Sequence, residues 1–198
     1  MLEHDRVSEV VVRPGRLRSR HMVLLSEAVL SIHTVEPIQF VDLTDRINQL
    51  LASGRVEHGE VTVFSRHTTA AIKINEAEEL LLEDFKNLLG RLCPQHHGYQ
   101  HNDMSRRKPP IAPDERPNGH SHCMHLLLST SETIPVIDAR LALGTWQRVF
   151  LVELDGPRRR DVFVRCVSFA QFKALSQIRP RHRALNGRAS SATPAAGR

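Results

Sequence analysis

The sequence predicts an α+β fold: a single compact domain with a mainly antiparallel β-sheet and helices packed on one side. Three observations predict it. Short segments such as Glu60 to Ser65 alternate apolar and polar residues with the period of a half-buried strand. Glu76 to Leu92 instead carries its leucines at helical spacing. The segments follow the order β-α-β-β-α-loop-β-β-β, which lacks the regular strand–helix alternation of a parallel α/β sheet. A chain of 198 residues is long enough to bury one substantial core, and with aromatics at only 5% that core must be built from Leu, Val, Ile and Ala.

Residues 1–20 form an N-terminal extension in which Pro14-Gly15 breaks any pattern, and the domain proper spans 21–170. Met22 to Thr34 is rich in Val, Leu and Ile and reads as a strand. Asp42 or Thr44 caps a helix running to about Ala52, with Ile47, Leu50 and Leu51 on one face and Gly54 ending it. Glu60 to Ser65 and Ala70 to Ile74 are extended. Asn75 is placed as the N-cap of the helix over Glu76 to Leu92, and Pro94 stops it. Gln95 to Gly119 is a long loop without a strong period, the kind that in a compact domain carries function. His120 to Ser129 is a short helix or a strand, and Thr133 to Ile137 is extended. Leu141 to Leu154 and Arg160 to Phe169 read as two long strands joined as a hairpin across Asp155-Gly156-Pro157, because Asp-Gly is a strong turn signal. Residues 171–198 form an Arg-, Ala- and Ser-rich tail expected to be disordered at its end.

The formal net charge of +5 belongs to the ends. Arg179, Arg181, Arg183, Arg188 and Arg198 lie in a tail without acidic residues, so the central region is slightly acidic. Tyr99 and Trp146 stand far from that tail in sequence and no stacking platform accompanies it, which argues against nucleic acid as a partner. No apolar run reaches the roughly 18 residues of a membrane span. The start lacks the apolar stretch of a secretory signal, and Cys93, Cys123 and Cys166 are an odd set without C-x-x-C spacing. A reducing, cytoplasmic setting is the expectation.

Chemistry is concentrated in histidines on loops. His101-Asn102-Asp103 and His120-Ser121-His122-Cys123-Met124-His125 flank a charged, Pro-rich segment. Imidazole is the commonest metal ligand and the usual proton shuttle near neutral pH, and a Lewis-acid centre needs about three N or O ligands with one position left open. His120 and His122 share a face only if the segment is a strand, and His122 and His125 only if it is a helix. Directly after a strand, His67 is placed to act as base or ligand, and Thr68 and Thr69 offer hydroxyls and backbone N–H groups to a phosphate. Asn75-Glu76 is explained by helix capping alone. In Gly144-Thr145-Trp146-Gln147 the single tryptophan is able to stack on a ring or to pack in the sheet. Arg158-Arg159-Arg160 suits phosphate oxygens through guanidinium forks, or solvates a turn.

These blocks resemble the YjbQ-like family. The segments that carry the resemblance are His67-Thr68-Thr69-Ala70-Ala71 with Asn75-Glu76, Tyr99-Gln100-His101-Asn102-Asp103, Asn118-Gly119-His120-Ser121-His122, and Leu143 to Gln147 running on to Asp155-Gly156-Pro157-Arg158. They occur in the family's order and cover roughly residues 22–170. Two positions depart from its pattern: Ala77 stands where a second Asn is usual, and Ala139 where Gly is usual.

The resemblance implies a metal-assisted transferase of the thiamine-phosphate synthase type, joining a pyrimidine diphosphate to a thiazole phosphate with release of pyrophosphate. Metal-dependent hydrolysis of a small phosphorylated or acyl substrate is the alternative, followed by a non-enzymatic oligomer that binds metal or a small molecule. It also implies a homotrimer and a divalent cation, zinc foremost, on His101 and His122, with His120 as a further ligand. His67, Glu76 and Asp103 take acid/base or supporting roles. Thr68, Thr69, Asn75, Trp146, Gln147 and Arg158 shape the pocket for a small phosphorylated substrate.

Overall fold

The computed structural model describes residues 11–14, 18–20, 23–54, 56–108, 111 and 115–169. The tail over 171–198 and the remainder of the 1–20 extension lie outside the described residues.

The elements run β1 (Val11–Pro14), β2 (Arg18–Arg20), β3 (Val23–His33), β4 (Gln39–Asp42), α1 (Thr44–Ser53), β5 (Gly59–Ser65), β6 (Ala70–Glu76), α2 (Glu79–Leu92), a 3-10 turn (Gln100–Asn102), α3 (Gly119–Leu126), β7 (Ser131–Ile137), β8 (Arg140–Leu141), β9 (Gln147–Glu153) and β10 (Arg159–Phe169). They make a single α+β domain, as expected, with every strand pairing antiparallel. The strands, however, divide into two sheets. The larger has the order β1-β3-β10-β5-β7-β8, with β2 also on β3, and the smaller has the order β4-β9-β6.

The main core lies between the two sheets. β10 alternates cleanly: Val162, Val164 and Cys166 face inward among Leu30, Ile32, Val61 and Val63, and Arg165 faces out. From the small sheet Val41, Ile72, Val149 and Leu151 complete this core, and α1 adds Ile47 and Leu51. The other face of the small sheet is covered by α2 and α3, through Leu89, Cys93 and Met124 packed on Ala71, Phe150, Val152 and Leu154. Phe40 bridges to Phe85 of α2 and, edge-on, to Phe150, each with ring centroids 5.9 Å apart. Central strand β9 is therefore buried on both faces, Val149 to Glu153 without interruption.

Two sequence expectations are corrected. Asn75 and Glu76 do not open a helix. They finish β6, paired with Arg148 and Gln147 of β9, and Asn75 Oδ1 accepts from the Glu76 N–H. Helix α2 starts three residues later, where the Glu78 carboxylate accepts from the N–H groups of Leu80 and Leu81. Nor do β9 and β10 form a hairpin. Asp155-Gly156-Pro157 is a corner that carries the chain from the small sheet to the large one. A Cβ on Gly156 would overlap the Glu36 carbonyl oxygen, so the corner needs glycine for close backbone approach.

Candidate functional site

The corner builds a polar end on the molecule. Glu153, the last residue of β9, is fully buried and faces Arg160, the second residue of β10. Arg160 Nε donates to Glu153 Oε2 at 2.6 Å, Nη2 donates to Oε1, and Nη2 also donates to Thr69 Oγ1 at 3.0 Å. Glu153 Oε1 accepts from the N–H groups of Leu154 and Asp155, and Oε2 from the Thr34 hydroxyl. The carboxylate is thus saturated, the condition for a charge to survive burial. Next to it Asp155, only 7% exposed, accepts from Asn118 Nδ2 (3.0 Å) and Arg158 Nε (2.9 Å), and lies 3.5 Å from Arg116 Nε.

This frame closes one side of a cleft of about 310 Å³. The β5–β6 turn contributes Thr68 and Thr69, and the corner and β10 contribute Asp155, Arg158 and Arg160. The long loop contributes His101, Arg107 and Glu115, and the start of α3 contributes Asn118 and His122. The loop is tied to α3 because Asn102 Oδ1 accepts the Gly119 N–H at 2.9 Å and Gly119 leaves room for the Tyr99 side chain. That tie brings His101 against His122, with ring centroids 4.6 Å apart. His101 Nε2 and Asn118 Oδ1 are buried without a hydrogen-bond partner. Burial pushes the His122 imidazole below its usual pKa and the neighbouring His101 lowers it further, so His122 is neutral at pH 7. Among the described residues, no group of three or more His, Cys, Asp and Glu side chains is placed to hold a metal ion. The pair comes with Glu115 instead, whose Oε1 is 4.0 Å from His101 Nε2 and is itself held by Arg107 at 3.0 Å.

The other expected site residues lie elsewhere. Because residues 119–126 are helical, His120 and His122 diverge by about 200° around α3. His120 lines a separate cavity on the far side. His67 stands beside the frame: its Nε2 accepts the Asp161 N–H at 2.8 Å, and burial, then Arg160, lowers its pKa. Asp103 is exposed and accepts from the Ser105 N–H (3.1 Å) and hydroxyl (2.6 Å), a turn-capping role. Asn75, Glu76 and Gln147 sit at the opposite end of β9, beside Trp146, which is 70% exposed. Sequence reasoning gave no cleft role to Arg107, Glu115, Asn118 or Asp155, and it named Arg160 only within a phosphate-binding arginine run, whereas the structure buries it against Glu153. The Asp155-to-Arg160 run was visible in the sequence, but a hairpin would have aimed it at solvent.

A two-sheet α+β domain with a cleft of histidine and arginine at one end defines the structural class. The comparisons define the family: the profile described as "UPF0047 protein YjbQ-like" matches residues 28–168, and the chain belongs to that family. The UPF0047 protein of Methanothermobacter thermautotrophicus is 38% identical over 135 residues, covering 68% of this chain and 87% of the relative. That of Archaeoglobus fulgidus is 36% identical, covering 70% and 98%. Among solved structures, a YbjQ-like protein of unknown function from Sulfolobus solfataricus superposes with TM-score 0.66 at 29% identity, covering 74% of this chain and 99% of that one. A hypothetical protein from Aeropyrum pernix gives 0.63 at 32% identity, covering 72% and 98%.

These matches correct the expected activity. The family is one of unknown function and its structural neighbours are uncharacterised, while thiamine-phosphate synthase is a distinct family. The thiamine-phosphate synthase-type transferase, implied by resemblance alone, is withdrawn. No helix among the described residues is long and apolar enough to cross a membrane.

Proposed function

We propose that the cleft takes a small phosphorylated compound together with a divalent cation, zinc foremost, seated on His101 and His122. The carrying observation is the imidazole pair, 4.6 Å apart, with His101 Nε2 buried and unpartnered. The cation would rest on the two imidazoles alone, with His122 neutral, the form that ligates; no third His, Cys, Asp or Glu side chain among the described residues is placed to join them, so substrate oxygens would complete its shell. Charge balance supports the same reading. Arg107 pairs with Glu115, Arg158 with Asp155 and Arg160 with Glu153, so the side chains alone come close to cancelling. A bound dication would supply the positive charge that phosphoryl oxygens require. Thr68 offers a hydroxyl, and Arg158, half-buried at the wall, orients the anion from the side.

Full-length protein stripped by chelator and dialysed against zinc should take up one ion per chain, and the H101A/H122A double variant none. Phenyl phosphate should bind the zinc-loaded form at least about tenfold more tightly than the stripped form. Equal zinc uptake by the double variant would overturn the reading. We propose further that the working form is a homotrimer, consistent with the exposure of Trp146, Leu126 and Leu127. Sedimentation equilibrium should return three times the 22.4 kDa chain mass, and a monomer at micromolar concentration would exclude it.

A further inference from the structure

The cations of this chain are segregated from its acids. Residues 10–26 and 162–198 hold eleven of the 27 Lys and Arg residues and none of the 22 Asp and Glu residues. Arg13, Arg16, Arg18 and Arg20 precede β3, and the other seven begin at Arg165 of β10. A single charge run is solvated by default. The strand registers bring these two to one place. Arg18 and Arg20 of β2 stand opposite Leu25 and Val23 of β3, and across β3 the same two residues stand opposite Val167 and Phe169 at the end of β10. One strand separates the runs, and Arg20 and Phe169 lie in one cross-strand row about 10 Å wide. The basic segment over 170–198 begins at that row. Glu27, the first acid along β3, accepts from Arg165 Nε at 3.0 Å. On the other flank of β10, Glu60 of β5 stands opposite Val167, so the basic surface lies on the β2 side.

The sequence after β10 carries more than charge. Phe169, Phe172, Leu175 and Ile178 recur every third residue, with Lys173, Arg179 and Arg181 among and after them. The phosphates of a nucleic acid satisfy the guanidinium groups but not the leucine and isoleucine. An anionic bilayer satisfies both, taking cations at its head groups and Phe, Leu and Ile at the acyl boundary. We propose that the β2 side of the large sheet and the segment following β10 form one docking surface for an anionic lipid bilayer. The contact is peripheral: the cations hold the surface to acidic head groups and the apolar residues enter the interface. The histidine cleft lies by the first residues of β10, and the surface by its last, eleven residues on and about 33 Å away. A docked molecule thus keeps its cleft open to solvent. The inference is independent of the cation proposed at His101 and His122.

Co-sedimentation of the full-length chain with sucrose-loaded vesicles tests this. At about 0.1 M salt, where screening acts over about 10 Å, vesicles of phosphatidylserine and phosphatidylcholine should bind the protein, and pure phosphatidylcholine should not. High salt should weaken that binding. Each cation at an anionic surface contributes about fivefold in affinity. The R18Q/R20Q variant and the R179Q/R181Q variant should therefore each bind at least about tenfold more weakly. If R18Q/R20Q fails to fold, the tail variant and the salt dependence still decide. The F172S/L175S/I178S variant should lose at least about tenfold on vesicles and keep whatever affinity the unsubstituted chain has for a single-stranded oligonucleotide. No binding to the acidic vesicles, equal binding to neutral ones, or unchanged vesicle affinity in the apolar variant would overturn the inference. Tighter binding to the oligonucleotide than to acidic vesicles at the same salt would overturn it in favour of nucleic acid. Unchanged affinity in a folded R18Q/R20Q variant would overturn the joint surface.

Discussion

The two ends of strand β9 differ in kind. At the Glu153 end every charged group is held: Glu153 and Asp155 between them engage Arg116, Arg158 and Arg160, Asn118, Thr34 and backbone N–H groups. At the Gln147 end Arg148 alone reaches across the fold, to Asp42 (2.6 Å) and Asp45 (3.1 Å), and the other contacts are local. Gln147 Oε1 accepts the Gly144 N–H at 2.8 Å, Asn75 caps its own neighbour, and Trp146 faces solvent. Sequence motifs fall at both ends, but only at the Glu153 end are the motif residues themselves held by buried long-range contacts. A ligand site needs side chains whose positions are fixed before the ligand arrives, and that condition selects the Glu153 end.

The sharpest way to break this comparison is to remove one member of the buried pair. Arg160→Ala leaves Glu153 charged and buried, and urea denaturation should report a loss of about 3–5 kcal/mol. Asp155→Ala strips the acceptor from Asn118 and Arg158, and a loss of about 2 kcal/mol is expected. Stability should also depend on pH through the histidines. Burial is the first cause that lowers His67, His120, His122 and His125 below the usual value of about 6.5. Their unfolded forms then bind protons more readily than the folded ones. Stability is accordingly full above pH 6.5 and declines as pH falls through the lowered folded-state values. Thermal melts with chelator present should show Tm falling from pH 7.5 to 5.5, and a flat profile would contradict the burial of these rings. At the other end, Glu76→Gln and Trp146→Ala should each shift stability by no more than about 0.5 kcal/mol.

Much of this was legible in the sequence. Alternation marked β5, a richness in Val, Leu, Ile and Phe marked β3 and β10, and leucine spacing marked the body of α2. The failures have physical causes. Asn75-Glu76 carries the chemistry of a cap, but β9 offered it a ladder and Glu78 took the cap. Asp155-Gly156 has the composition of a hairpin turn, and the same flexibility serves a corner between sheets, because the choice depends on which strands pair over long range. His120 and His122 form a site together only on a strand, and the segment is helical. His101 and His122 were named together as metal ligands, on histidine density and the family resemblance. Their juxtaposition depends on Asn102 meeting Gly119, a contact no local pattern encodes.

The central claim is that ligands enter at the Glu153 end, on His101 and His122. The most direct measurement is a zinc titration of ¹⁵N-histidine- and ¹⁵N-tryptophan-labelled protein, following the side-chain nitrogens. The account predicts stoichiometric shifts of the His101 and His122 imidazoles, with His120 and the Trp146 indole N–H unmoved. Shifts at Trp146 or His120 with His101 and His122 silent would contradict it.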